Sequence, residues 1–203
     1  MYEQTVGYPK ISASETPFPH LFLRELFSRD WAGQVRETCE NLASSLDRKI
    51  ANRPDKQYSM KILPLYESGL PSGDLPKLPP VLRELAQAIL ASALMDIAKR
   101  YAGLSTDYTF DLGLYLFEPG DFVSPHLDKQ EKALTAVIYL NENWDPEQGG
   151  SFDYHGGDGE IVQRKYPEYG SAILFQPGPT SLHSVAEVKG GLRITLQLEV
   201  FES

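Results

Sequence analysis

Apolar residues recur along the chain with two different periods, and the period changes near Tyr108. Before that point the pattern is mainly helical. The segment "FPHLFLREL" reads as a short strand, after which Ser28 and Asp30 offer caps for a helix expected from about Trp31 to Ile50. A second helix is expected to begin at the "KLPP" boundary: Leu82, Leu85, Ala86, Ile89, Ala93, Leu94, Ile97 and Tyr101 recur at three- and four-residue steps until Gly103 stops it. An apolar stripe of that kind should lie on a sheet. Between the helices, "YESGLPSGDLPKLPP" is rich in glycine, proline and serine and has no period, which predicts a long exposed loop over residues 66–80. A loop of that sort is expected to act as a lid that borders the active-site mouth and orders when substrate binds.

From Tyr108 onward, short β-type runs alternate with turn signals: "YTFDLGLYLF", "ALTAVIYL", "GSFDYH", "EIVQRK", "SAILFQ", "SLHSVAEV" and "RITLQLEVF". Such a series predicts a jelly roll or another all-β barrel or sandwich. The expected fold class is α+β, mainly β. Length sets the organisation, because 203 residues suffice for one sizeable core and are short for two. One domain over 1–203 is therefore expected, with a mainly helical support layer over 1–107 and a jelly-roll catalytic core over 108–203.

Charge and cysteine content narrow the function classes. With 19 basic against 28 acidic residues the net charge is -9, which argues against a nucleic-acid backbone or an anionic membrane surface as partner. Cys39 is the only cysteine, so no intramolecular disulfide can form. The opening "MYEQTVGYPK" lacks a signal-peptide pattern, and no apolar run reaches the roughly 18 residues of a membrane span. A soluble, cytoplasmic setting is expected.

The stretch "SPHLDKQ" introduces chemistry. On a strand, residues two apart share a face, so His126 and Asp128 would project together. His183, in "TSLHSV", is the next histidine after Asp128 that reads as a strand residue with a suitable sequel. Two histidines and one carboxylate on inward faces of a jelly roll match the facial triad of non-haem Fe(II) oxygenases, which leaves coordination positions open. The sequel is Arg193, which opens "RITLQLEVF" and offers a planar fork suited to a carboxylate. His20 is expected to be structural or exposed, and His155, in "DYHGGDGE", to be solvated at a hairpin tip.

Taken in order, "YLFEPGDFVSPHLD", "AVIYLNENWDPEQGGSFDY", "GSAILFQPG", "SLHSV" and "GGLRITL" resemble the 2-oxoglutarate- and Fe(II)-dependent dioxygenases over about residues 108–202, specifically their prolyl-hydroxylase-like branch. "PFPHLFLRELF" also looks like that branch's opening strand. The resemblance implies a double-stranded β-helix in which His126, Asp128 and His183 bind iron and Arg193 pairs with the distal carboxylate of 2-oxoglutarate. It also implies that Tyr139 hydrogen-bonds the same carboxylate, and that Thr195 and Tyr115 belong to the co-substrate site. Fe(II), 2-oxoglutarate and O2 are the implied cofactors and co-substrates, with ascorbate as a stimulant. Asn141 and Trp144 should shape a strand-to-loop corner, and Gly149 and Gly150 a turn without chemistry of its own.

Departures from the family pattern matter too. Phe117 stands where relatives often have tyrosine, so a phenol hydrogen bond is missing there, and Tyr115 is the nearby substitute. Glu199 stands where the nucleic-acid demethylases of the superfamily carry arginine and several prolyl hydroxylases an aromatic, which disfavours nucleic acid and weakens a purely prolyl-hydroxylase reading. Asp128 itself disfavours halogenation, since related halogenases lack that carboxylate. The function implied is hydroxylation of an unactivated C–H bond of a small molecule, such as an amino acid or a natural-product intermediate, with formation of succinate and CO2. A peptidyl hydroxylase is the second reading, and a non-catalytic jelly-roll binding module the rival from another class.

Overall fold

The computed structural model describes residues 8–104 and 107–202. In chain order the elements are β1 (Lys10–Ser14), β2 (His20–Arg24), α1 (Ala32–Ala43), β3 (Arg48–Asn52), β4 (Gln57–Glu67), β5 (Leu70–Pro71), α2 (Pro80–Ala91) and α3 (Ala93–Ala102). They continue with β6 (Tyr108–Phe117), β7 (Phe122–His126), β8 (Lys132–Tyr139), β9 (Phe152–His155), β10 (Ile161–Lys165), β11 (Ala172–Phe175), β12 (His183–Val185) and β13 (Arg193–Glu202). Pairing is antiparallel throughout, in the order β1-β2-β11-β8-β13-β6-β4-β7-β12-β9-β10. The strand β4 joins a larger sheet to a smaller one, pairing with β6 along most of its length and with β7 only at Tyr58 and Ser59. This is the jelly roll expected from the short β-type runs, with helices on one sheet.

Alternation along the central strands assigns the two faces of the larger sheet. Leu112, Leu114 and Leu116 of β6, Leu134, Ala136 and Ile138 of β8, and Leu196 and Leu198 of β13 are buried in one cluster with α1, α2 and α3. Their in-between neighbours Tyr115, Thr135, Val137, Gln197 and Glu199 line a cavity on the opposite face. The helices thus cover one side and leave the other for chemistry.

The first half departs from the expectation of a mainly helical layer, because β1 to β5 all fall within it. Ser28 does accept a backbone hydrogen bond from Asp30, but it caps a single turn over Arg29–Trp31. The helix expected up to Ile50 ends at Ala43, since beyond Ala43 the apolar stripe lapses into "SSLDRK", and Ile50 lies on β3 with 72% of its surface exposed. The second helix breaks in two at Ser92, whose hydroxyl accepts from the Leu94 amide and starts α3. Gly103 ends α3 in the left-handed conformation (φ 67°), as the sequence suggested.

The segment 66–80 is also corrected. It holds the end of β4, the short β5 and a helical turn over Leu75–Lys77, and Leu75 and Leu78 are buried among the helices. Ser72 is tied to Leu65 and Pro64 by hydrogen bonds. Its anchoring residues therefore pack on the helical face, away from the cavity, and a lid role is left without support. Tyr66 and Glu67 alone border a small groove beside that cavity.

Two substitutions separate the helical core from the exposed hairpin. Leu85→Ala, at a residue with 0% exposure, should lower unfolding free energy by about 2–5 kcal/mol in urea denaturation. Ile50→Ala should stay within about 0.5 kcal/mol of the parent. A large loss at Ile50 would mean that β3 is covered in solution.

Candidate metal centre

Antiparallel pairing of β12 with β7 sets His183 directly opposite His126. Their ring centroids are 4.3 Å apart. In each ring Nδ1 donates to a carbonyl two residues back, at 2.9 Å to Ser124 for His126 and 2.8 Å to Ser181 for His183. A carbonyl can only accept, so the proton is fixed on Nδ1 and the Nε2 lone pair is left for a metal. His183 is further locked by Phe152, stacked at 5.1 Å with an 11° tilt. Burial pushes its pKa down to about 3, helped by neighbouring His126, so this ring is neutral at pH 7.

Asp128 lies just past the end of β7, yet its side chain turns to the same side, with Oδ1 3.7 Å from His126 Nε2. Ligand atoms of His126, Asp128 and His183 all lie within 4.8 Å of one another. Thr135 donates to Asp128 Oδ2 at 2.7 Å, and Lys132 Nζ reaches Oδ1 at 3.2 Å. Burial alone would raise this carboxyl, but His126, Lys132, His183 and Thr135 together hold it well below the usual range. One anionic oxygen donor beside two imidazole nitrogens is a donor set for a divalent transition ion. It fits Fe(II).

Arg193, 0% exposed, makes a second constellation with Tyr139 and Thr195. Its Nε donates to the Gly150 carbonyl at 2.7 Å and Nη1 to Thr195 Oγ1 at 3.4 Å. The guanidinium lies 4.9 Å over the Phe117 ring and 5.4 Å over that of Tyr139. Thr195 and Tyr139 face each other across β13 and β8. Arg193 Nη2 and the Tyr139 hydroxyl are buried with no hydrogen-bond partner among the described residues. Two orphaned donors, one of them cationic, are what a carboxylate would satisfy. Burial pushes the Tyr139 phenol up to about 12, against the pull of Arg193, so it stays a donor. The residues fit a buried carboxylate such as one end of a 2-oxo diacid.

The metal-site residues open on a cavity of about 300 Å³ that Tyr115 also lines. Phe117, where a phenol was missed, instead supplies the aromatic face under Arg193. Asn141 ties the corner as expected, donating to Leu192 O and accepting from the Ile194 amide. Trp144 does likewise through its Nε1 bond to Gly149 O. Gly149 and Gly150 were expected to have no chemical part, but Gly150 O holds Arg193, and a Cβ on Gly150 would come within 3.0 Å of the Arg193 side chain. His155 is not solvated: it is buried, bonded to Gly159 O and Ser184 Oγ. His20 is buried against Tyr154, a structural residue.

Sequence reasoning missed Lys132 and its pairing with Glu199. Lys132 Nζ bonds Glu199 Oε1 at 2.7 Å while also touching Asp128, so Glu199 balances a buried ammonium beside a metal ligand. The only available signal was the register that sets Glu199 opposite Thr135 and Lys132 opposite Phe201.

Two histidines and one aspartate from the smaller sheet, with a buried Arg–Tyr pair on the larger one, are the residue types that 2-oxoglutarate- and Fe(II)-dependent oxygen chemistry requires. Residues 112–198 match the sequence model of the 2OG-Fe(II) oxygenase superfamily. The chain is 27% identical over 95 residues to the prolyl 3-hydroxylase OGFOD1 of Mus musculus, a match covering 44% of this chain and 17% of that protein. A prolyl-4-hydroxylase from Pseudomonas putida superposes with a TM-score of 0.64 at 20% identity, covering 91% of this chain and 92% of its own. The 2-oxoglutarate-dependent carbocyclase SnoK of nogalamycin biosynthesis gives 0.59 at 15% identity, covering 90% and 79%. Among the described residues, no helix is long and apolar enough to cross a membrane.

Removing the orphaned hydroxyl gives a direct check. Tyr139→Phe keeps the ring and should weaken 2-oxoglutarate binding about ten- to a hundredfold, the scale of about 1.5–3 kcal/mol for a hydrogen bond to a charged group. Arg193→Ala should weaken it further, by roughly 2–5 kcal/mol. Unchanged affinity in both, read by isothermal titration with Mn(II) in the metal site, would place the anion elsewhere.

Proposed function

We propose that this chain hydroxylates an unactivated C–H bond of a small molecule, an amino acid or a natural-product intermediate, consuming 2-oxoglutarate and O2 and releasing succinate and CO2. The observation that carries the reading is the cavity of about 300 Å³ onto which His126, Asp128 and His183 all open. That volume sits at the low end for small-molecule pockets, with little room for a long peptide beside the co-substrate.

His126, Asp128 and His183 would hold Fe(II), which with bound 2-oxoglutarate supplies oxygen activation. Arg193 and Tyr139, with Thr195 beside them, would bind the distal carboxylate and so fix the diacid's orientation. Nδ1 protons held on the Ser124 and Ser181 carbonyls leave Nε2 of each imidazole as the metal donor. Thr135 and Lys132 keep Asp128 ionised and oriented. Val123, Val137, Phe152 and Val185 make the inner wall apolar, which excludes water from the reacting C–H bond.

A second reading, hydroxylation of a peptidyl residue, draws on the likeness to prolyl 3-hydroxylase OGFOD1, of which this chain matches only a minor part. Succinate formation from 2-oxoglutarate, with Fe(II) and ascorbate, across free amino acids, small carboxylic acids and prolyl peptides decides between them. We expect a free small molecule to stimulate turnover most, and His126→Ala to abolish it. Stimulation by peptides alone would favour the second reading, and no stimulation by any compound would favour a binding module.

A further inference from the structure

The hairpin between β3 and β4 brings a lysine to the mouth of the metal-site cavity. Arg53 and Lys56 close its turn through reciprocal backbone hydrogen bonds of 3.2 and 3.3 Å. The next residue is anchored, because the Gln57 amide donates to Ser124 Oγ at 2.8 Å, and the Ser124 carbonyl holds His126. Tyr58 and Ser59 then pair with Val123 and Phe122. The turn is thus fixed to the strand that carries a metal ligand.

Lys56 lines the cavity together with His126, Asp128 and His183. Among the described residues its ammonium makes no hydrogen bond and no ion pair, although it is only partly exposed. Desolvation lowers its pKa to about 8, against the attraction of Asp128, so most of it remains charged at pH 7. A partly buried cation without a partner is costly unless something that binds completes it.

The local charge balance points the same way. Arg53, Lys56 and Lys129 line the cavity against Asp128 and Glu199, and both of those carboxylates already share Lys132 at 3.2 and 2.7 Å. A divalent metal and a doubly charged diacid nearly cancel each other. The filled site would keep a surplus of positive charge, within a chain of net charge -9. Such a field selects for anions.

We propose that Lys56 binds a carboxylate of the primary substrate, with Arg53 and Lys129 adding long-range attraction at the rim, so that the enzyme takes free acids rather than their amides or esters. This rests on the small-molecule reading of the cavity. Within it, the substrate would be a compound with a free carboxylate, presented C–H first to the metal with its anionic end at the β3–β4 turn. Lys56 acts here as a specificity-determining residue. It has no part in holding the metal or the co-substrate.

The test uses the whole chain loaded with Mn(II), which does not turn over, and N-oxalylglycine, an unreactive isostere of 2-oxoglutarate. Binding of free amino acids and N-acetylproline is compared with binding of their carboxamide twins, which differ only in the charge. We expect the best acid to bind at least about tenfold more tightly than its amide, and Lys56→Met to erase that margin while leaving N-oxalylglycine affinity unchanged. Amides that bind as well as acids, no binding by either, or a margin that survives in Lys56→Met would each overturn the proposal. Weakened N-oxalylglycine binding in that variant would assign Lys56 to the co-substrate, which also overturns it. Should Mn(II) and N-oxalylglycine themselves fail to bind the parent protein, the functional reading fails and this inference falls with it.

Discussion

A guanidinium buried to 0% exposure with one arm unsatisfied is the constraint around which the rest of the site is arranged. Burying an arginine without its hydrogen bonds costs several kcal/mol, so the chain surrounds Arg193 with everything it can offer short of an anion. Gly150 gives a carbonyl, Thr195 a hydroxyl, and Phe117 and Tyr139 their ring faces. The tight Gly149–Gly150 turn exists in this form because larger residues would strike Glu187 O and the Arg193 side chain. The two donors left over, Arg193 Nη2 and the Tyr139 hydroxyl, suit a carboxylate.

The fold serves that arrangement by dividing labour between the two faces of its larger sheet. Leucines on β6, β8 and β13 face the helices and supply cohesion, while the residues between them face the cavity and carry polar chemistry. The smaller sheet adds both histidines from adjacent antiparallel strands, so their separation is set by strand spacing rather than by side-chain reach. Lys132 and Glu199 extend the same logic to charge. A buried ammonium next to a metal ligand would be an uncompensated cost without the carboxylate that Glu199 supplies.

Periodicity and motif order were the legible parts of the sequence. Alternation in "YTFDLGLYLF" and "RITLQLEVF" marked strands and their faces, and the order of His126, Asp128 and His183 marked three residues that the fold does bring together as a candidate metal site. The hairpin of β3 and β4 was hidden because Arg48, Lys49 and Ile50 are all exposed and leave no alternation to read. The segment 66–80 looked like a free loop because its two anchors, Leu75 and Leu78, are too few to make a period. Charged residues on strands mislead for a related reason. Lys132 and Glu199 each look like surface positions until the register of β8 and β13 brings them together beside Asp128. Lys56 is harder still, since its importance comes only from the turn being fixed onto β7.

If the triad and the Arg193–Tyr139 pair form one site, that site takes one metal and one diacid. Anaerobic addition of Fe(II) and then 2-oxoglutarate, with visible absorption as the readout, tests this most directly, because chelation of Fe(II) by a 2-oxo acid produces a charge-transfer band. We expect a band that saturates at one Fe(II) and one 2-oxoglutarate per chain, and that is absent in His183→Ala. Fe(II) binding with no band on adding 2-oxoglutarate, or a band that persists in that variant, would contradict a single shared site.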